Sequence, residues 1–188
     1  MTIIKPARAI LIAFSLAAVV ATVLVTSMPV AAHGNGQASL AQVRAATARY
    51  HDLASAQANG YALLTDAAGI ACIDNPGVGA MGVHYANNAL VGAGVVDADR
   101  SQALVYAPEA NGHMRLVAVE YVIFQAAWDA AHPAPPALFG EQFMLTPDGN
   151  RFGLPAFYSL HAWIWEPNPS GMFSMWNPRV RCGATAAQ

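Results

Sequence analysis

The spacing of hydrophobic and polar positions changes along the chain, and the first clear pattern is helical. Between residues 39 and 59 the larger side chains recur every three or four positions, at Leu40, Val43, Thr47, Tyr50, Ala54 and Gln57, which is the period of a helix with one packed face. Ser39 and Gln42 match the Ser-x-x-Gln pattern of a helix start, and Gly60 suits a C-terminal cap. The pattern predicts one N-terminal helix over residues 39–59.

Beyond Cys72, short apolar runs alternate with Gly, Pro and Asn, which is typical of antiparallel strands and turns. Strands are predicted over residues 83–85, 103–106, 115–124 and 158–165. Asn111 and Gly112 predict a hairpin with a type I′ turn between the second and third of these. A short helix is predicted over residues 125–131, before the prolines. The fold class is therefore α+β, with the N-terminal helix packed on an antiparallel sheet or a partly closed β-barrel.

The first 32 residues follow a different pattern, that of an export signal. Lys5 and Arg8 precede a largely apolar run over residues 9–25, and small residues follow Pro29 up to His33. We expect a signal peptide over residues 1–32 and a single exported α+β domain over residues 33–188, in the periplasm or outside the cell. The alternative is an uncleaved segment that anchors the chain, because about 17 apolar residues can just span a bilayer.

Charge argues against two classes of partner. The chain has nine Lys and Arg and eleven Asp and Glu, a formal charge of -2. Removal of Lys5 and Arg8 would change this to -4 and leave no lysine. Nucleic acids and anionic lipids both require clustered basic residues. We therefore expect no nucleic-acid partner, and membrane contact only through an uncleaved signal segment. Neither the composition nor the motifs of the chain indicate a protein partner.

The chain has two cysteines, Cys72 and Cys182. In an exported protein two cysteines are expected to form a disulfide. A redox or metal-binding thiol is the alternative, but neither cysteine belongs to a Cys-x-x-Cys pair. The sequence therefore predicts a Cys72–Cys182 disulfide.

Glu120 is an acidic residue on a predicted apolar face. Alternation along its strand groups it with Met114, Leu116, Ala118 and Val122. A carboxylate in such surroundings is costly unless it is paired, protonated or bound to a metal ion. Two histidines pose the same question: His84 follows a Gly-rich segment, and His161 is predicted to share a face with Trp163 and Trp165.

Two imidazoles and one carboxylate suit a divalent metal such as zinc, copper, iron or manganese. If the three strands share one sheet, His84, Glu120 and His161 could bind such an ion or a small molecule. In an enzyme the metal would activate water or oxygen, with Glu120 as ligand or catalytic base and Glu109 as a peripheral candidate. Metal-free acid–base catalysis is a further alternative.

The competing interpretation is a noncatalytic envelope or interaction protein. In that case Glu120 would pair with an arginine, namely Arg115, Arg179 or Arg181, and both histidines would bond to the backbone. The sequence does not decide between an enzyme and a binding protein.

Two further patterns are weaker. His33 would become the mature N-terminus if cleavage follows Ala32, and its amine and imidazole could then chelate copper. Residues 77–82 match Gly-x-Gly-x-x-Gly, but a strand rather than a helix is predicted after them, so a dinucleotide site is not favoured. We expect instead a flexible loop at the mouth of a pocket that includes His84.

Several short motifs together resemble a family of small exported bacterial proteins of unassigned function. They are the segments 79–85, 108–109, 119–121, 138–140, 160–163 and 177–179, with the letters GAMGVHY, PE, VEY, LFG, LHAW and NPR. The resemblance covers nearly the whole predicted mature chain. It implies a single exported domain and carries no activity.

Overall fold

The computed structural model describes Met1 and residues 36–183. The predicted signal peptide and His33 lie outside these residues. Among the described residues, no helix has the length and apolar character needed to cross a membrane.

The N-terminal helical segment is divided rather than continuous. It consists of α1 (Gly36–Thr47), a 3-10 turn (Ala48–His51) and α2 (Leu53–Ala58). Asp52 has extended backbone angles, and its carboxylate accepts a hydrogen bond from the Ala54 N–H at 3.1 Å, so it caps α2 as a new helix. The single helix over 39–59 was therefore a wrong prediction, as was its start, because Ser39 lies inside α1.

The predicted cap at Gly60 is confirmed. Gly60 has a φ of 88°, its N–H donates to the Gln57 carbonyl, and the Tyr61 N–H donates to the Ala56 carbonyl. This pair of bonds is the Schellman arrangement, which satisfies carbonyls at a helix end and favours glycine in the left-handed region.

The rest of the described chain forms mainly antiparallel strands, with two short helices, α3 (Asn88–Gly92) and α4 (Gln125–Asp129). The strands are β1 (Ala62–Leu64), β2 (Cys72–Asn75), β3 (Gly79–Ala86), β4 (Ala103–Pro108), β5 (Met114–Phe124), β6 (Ala137–Leu138), β7 (Glu141–Gln142), β8 (Met144–Thr146) and β9 (Phe157–Ala162). Seven of them form one sheet in the order β1-β3-β4-β5-β9-β8, and β2 also pairs with β3. β6 and β7 form a separate pair. The α+β class is confirmed, and the sheet is open rather than closed into a barrel.

The hairpin predicted between β4 and β5 forms, but with a different turn. The Gly112 N–H donates to the Glu109 carbonyl at 2.9 Å, and the Glu109 N–H donates to the His113 carbonyl at 2.8 Å. Gly112 has a φ of 79°, whereas Asn111 is not in the left-handed region. A type I′ turn needs positive φ at both central residues, so that prediction was wrong; the loop is a three-residue connection with glycine last.

A bulge in β5 decides which side chains share a face. Val105 pairs with Ala118 but Tyr106 pairs with Leu116, so Val117 is an extra residue. Leu116 therefore packs on the helix-covered face of the sheet, together with Val43 of α1. Met114 also packs there, whereas Ala118 belongs to the core of the other face. The prediction that Glu120 shares a face with Met114 and Leu116 was wrong for this reason.

The predicted disulfide is confirmed between Cys72 and Cys182, whose Cα atoms are 5.7 Å apart. It joins β2 to the C-terminal segment. The same segment is held a second time by paired backbone hydrogen bonds between Ala80 and Asn177, each 3.1 Å long. A disulfide in a chain of this size suggests a location outside the cytoplasm.

Candidate metal centre

Three strands bring His84, Glu120 and His161 to one face of the sheet. Glu120 on β5 lies directly opposite His161 on the neighbouring strand β9. His84 on β3 is separated from β5 by β4. Two strand spacings are about 10 Å, so His84 and Glu120 must both extend over β4. They can do so because β4 presents Ala103 opposite Glu120 and Val105 opposite His84, and these side chains are short.

The polar atoms of the three side chains converge. His84 Nε2 lies 3.4 Å from His161 Nε2 and 3.4 Å from Glu120 Oε2. His161 Nδ1 lies 3.6 Å from Glu120 Oε1. One donor atom from each residue lies within 4.8 Å of the others, so the cluster could hold a metal ion. The structure thus brings together all three residues that the sequence singled out.

The cluster is buried, and burial decides its protonation. The exposed fractions of His84, Glu120 and His161 are 2%, 8% and 3%. Burial lowers the pKa of both imidazoles to about 4. Burial also raises the pKa of the Glu120 carboxyl, against the opposing effects of His84 and of a hydrogen bond from Ser159. Both histidines are therefore neutral at pH 7, and each ring keeps one nitrogen with a lone pair available to a metal.

The three groups do not satisfy one another well through hydrogen bonds. Their separations of 3.4–3.6 Å exceed the usual hydrogen-bond range of about 2.7–3.2 Å. His84 Nδ1 is buried, and no group meets it with good hydrogen-bond geometry, although the Gly82 backbone makes a weaker contact with the ring. A buried polar network that is only partly satisfied is unfavourable, so the arrangement of the three side chains costs stability.

The arginine that a purely structural role would require is not beside Glu120. Arg115 instead forms ion pairs with Glu109 at 3.1 Å and Glu166 at 2.7 Å. Within the described residues, the ion pairs of Glu120 are those with His84 and His161. Arg179 and Arg181 are exposed. The predicted pairing of Glu120 with one of these arginines is therefore not found.

Two cavities adjoin the cluster. The inner one has a volume of about 60 Å³ and is lined by all three residues together with apolar side chains such as Phe152 and Leu154. The outer one is an open cleft of about 440 Å³. Ser159, His161 and Met175 line both. The cluster is therefore buried but lies next to a cleft that reaches solvent.

Two other sequence candidates, Glu109 and the glycine segment 77–82, lie mostly away from the cluster. Glu109 is in the exposed β4–β5 loop, where it pairs with His113 and Arg115. Of the segment 77–82, the turn at Gly77 lines a separate cavity of about 350 Å³ beside the C-terminal segment. Within this segment only Met81 lines the cavity that includes His84, so the expected pocket mouth is met only in part. Gly79 and Gly82 lie within strand β3, which is not the strand-to-helix context of a dinucleotide site.

Trp165 does not share the face of His161. Strand β9 ends at Ala162, and the Trp165 Nε1–H donates to Thr47 Oγ1 at 3.3 Å on the helix-covered side. Trp163 does belong with His161, since the two rings are nearly parallel with centroids 6.1 Å apart. The alternation of a strand ceases where its pairing ends, which explains the half-correct prediction.

The sequence did not single out Ser159, Met81 and Met175, which also surround the cluster. Ser159 precedes His161 by two positions in β9, so strand alternation could have placed it on the same face. Met175 belongs to an irregular segment after β9. Its position follows from the path of that segment, which no local pattern predicts.

The fold and the cluster define an α+β protein with a buried His₂Glu group that could hold a metal ion. Neither models of protein families, nor curated proteins, nor solved structures give a significant match to the chain. The resemblance to small exported bacterial proteins stays a prediction.

Proposed function

We propose that this protein is an exported metal-binding protein in which His84, Glu120 and His161 hold one divalent ion. The observation that carries the proposal is the spacing of the donor atoms. Two ligands of a tetrahedral ion with bonds of about 2.0–2.1 Å lie about 3.3–3.4 Å apart. The distances from His84 Nε2 to His161 Nε2 and to Glu120 Oε2 are both 3.4 Å. Two of the three donor pairs are therefore at separations suited to a shared ion and too long for strong hydrogen bonds. The three donor atoms all lie within 4.8 Å of one another, so a small closing movement would complete the set.

Electrostatics supports the same proposal. A metal ion requires neutral imidazoles and an ionised carboxylate. The low pKa of both histidines, about 4, means that no proton has to leave either ring at pH 7. A bound cation would compensate the charge of Glu120, which burial otherwise disfavours. The cluster is thus better suited to the metal-bound than to the metal-free state.

The surroundings leave space for a further ligand. The inner cavity of about 60 Å³ exceeds the roughly 10–15 Å³ that one water molecule needs. If the protein is an enzyme, the metal would supply Lewis acidity, and Glu120 would act as ligand or base. The outer cleft, which also borders His161, would admit a small-molecule substrate.

Elemental analysis of the exported protein tests the proposal. The chain is purified from periplasm or medium, reconstituted separately with zinc, copper, iron and manganese, and dialysed. We expect about one ion per chain for at least one metal, and loss of that ion in His161→Ala. The matched control is His113→Ala, which removes an exposed histidine of the β4–β5 loop and should retain the ion.

The result that overturns the proposal is a folded wild-type protein that retains none of the four metals. Thermal unfolding of each variant shows whether it is folded, and a thiol assay shows whether the disulfide is intact. A metal-free, folded wild type would favour the noncatalytic envelope or interaction protein instead. Equal loss of metal from both histidine variants would also contradict the assignment of the site.

A further inference from the structure

We infer that the ion is copper, and that the thioether of Met175 joins the two histidines as a ligand when the copper is Cu(I). This inference rests on the proposed function and narrows it to one metal. It follows from the placement of methionines around the cluster and from the preference of sulfur donors.

The methionines are concentrated at the two cavities. After residue 32 the chain has five methionines: Met81, Met114, Met144, Met172 and Met175. Met81 and Met175 line the inner cavity with His84, Glu120 and His161. Met144, Met172 and Met175 line the outer cleft. Four of these five side chains thus line one or both of the two cavities beside the cluster.

The chemistry of the donors distinguishes copper from the other candidate metals. Soft thioether sulfur selects Cu(I), whereas carboxylate oxygen suits harder ions, and imidazole binds both kinds. The inner cavity offers two imidazoles, one carboxylate and two methionines. Cu(II) could therefore use the histidines with Glu120, and Cu(I) the histidines with a thioether. Zinc, iron(II) and manganese have no comparable use for the sulfur.

Met175 is the better placed of the two inner methionines. Met81 is buried, with an exposed fraction of 7%, at the point where β3 shifts register against β2, and of the two cavities it lines only the inner one. Met175 is half-buried, lies outside the strands and lines both cavities. It can therefore meet an ion that arrives through the cleft and pass it to His161. Met144 is exposed at the outer cleft, with an exposed fraction of 50%. Its thioether would offer an arriving copper ion a further sulfur ligand there.

Packing is the alternative explanation, because methionine fills irregular spaces well. Leucine has nearly the same volume and apolar character but no sulfur. Substitution by leucine therefore removes a ligand while preserving the packing. Met114 offers a matched control, since it packs on the opposite, helix-covered face of the sheet.

The test measures Cu(I) affinity by competition with a chromogenic Cu(I) chelator under anaerobic conditions, and Zn(II) affinity in parallel. Wild type, Met175→Leu, Met81→Leu and Met114→Leu are compared, with a thiol assay to confirm that the disulfide stays oxidised. We expect Met175→Leu to weaken Cu(I) binding by at least about tenfold while Zn(II) affinity changes by less than about threefold. Met114→Leu should alter neither affinity.

X-ray absorption at the copper edge gives a second readout. The wild-type Cu(I) protein should show a sulfur neighbour that Met175→Leu loses. Unchanged Cu(I) affinity in Met175→Leu would overturn the inference, as would a wild type that binds Zn(II) but not Cu(I). In either case the metal site itself stands. A folded wild type that binds none of copper, zinc, iron and manganese would instead contradict the proposed function.

Discussion

Glu120 and His161 are cross-strand neighbours on β5 and β9, and Glu120 Oε1 lies 3.6 Å from His161 Nδ1. Backbone pairing on both sides of this contact sets the position of each side chain. His84 reaches the pair from β3 over the short side chains of β4. Ligands carried by paired strands are held more precisely than ligands on loops. Strand pairing by itself therefore organises the cluster.

Replacement of Glu120 by glutamine should separate binding from stability. The raised pKa of the Glu120 carboxyl means that its charged form costs folding free energy at neutral pH. Glu120→Gln removes the charge and keeps the shape. We expect the metal-free variant to be as stable as wild type or more so by about 1 kcal/mol, while metal affinity falls about tenfold or more. Urea unfolding with a chelator and metal titration measure the two effects; a loss of stability with unchanged affinity would indicate a structural role.

The metal-free protein should lose stability as the pH falls from about 6.5 to about 4. The ordinary pKa of histidine is 6.5, and in the folded protein the values for His84 and His161 are lowered to about 4. Across this window the unfolded chain binds more protons than the folded chain, so each histidine destabilises the fold, by a few kcal/mol at the low end. The raised pKa of Glu120 acts in the opposite direction and offsets part of this.

Urea unfolding at several pH values in the presence of chelator measures the effect. His161→Gln removes one of the two buried titrating rings and also its lowering effect on the pKa of His84, so at least about half of the histidine-linked loss should disappear. His113→Gln, at an exposed site, is the control and should follow the wild type. If His161→Gln shows the same loss as wild type, the buried rings do not control the acid sensitivity.

Gly82 should be essential to the approach of β3 and β4 near the site. Its φ is 104°, and a Cβ there would lie 2.5 Å from the Tyr106 carbonyl oxygen. Gly77 has a similar φ of 84°, but a Cβ there would meet nothing within 4 Å. We expect Gly77→Ala to cost about 1–2 kcal/mol from backbone strain alone. Gly82→Ala should cost at least about 2 kcal/mol more and should weaken metal binding, because His84 is two residues away.

Urea unfolding gives the stability difference between the two alanine variants, and metal titration follows the site. Equal costs at Gly77 and Gly82 would show that β3 can move away from Tyr106 without penalty. In that case the strand spacing beneath the cluster would be less constrained than the close contact implies.

The disulfide should contribute a large part of the stability. Cys72 and Cys182 are 110 positions apart, and closing a loop of that length corresponds to about 4–5 kcal/mol in the chain-entropy treatment. We expect the double variant Cys72→Ala/Cys182→Ala to lose that amount in urea unfolding. Asn177, bonded to Ala80, should keep the C-terminal segment on the sheet, so some metal binding should persist. A loss below about 1 kcal/mol would contradict the prediction.

Much of the secondary structure could be predicted because it depends on neighbouring residues. Alternation located the strands that became β3, β4, β5 and β9, and Gly60 located the end of α2. Errors arose where one residue breaks a period. Val117 shifts the face of every residue before it in β5, and Asp52 restarts a helix that the spacing of apolar residues describes as continuous.

The sequence by itself determined the α+β class, the Cys72–Cys182 pair and the three residues whose chemistry is unusual on apolar strands. Only the tertiary structure decided that those three residues meet. Alternation sets the face of a side chain within its strand, but strand order and register depend on distant pairing. The structure also decided that Met175, in a segment without periodicity, lines the same two cavities as His161. Such contacts arise from the packing of the C-terminal segment against the sheet.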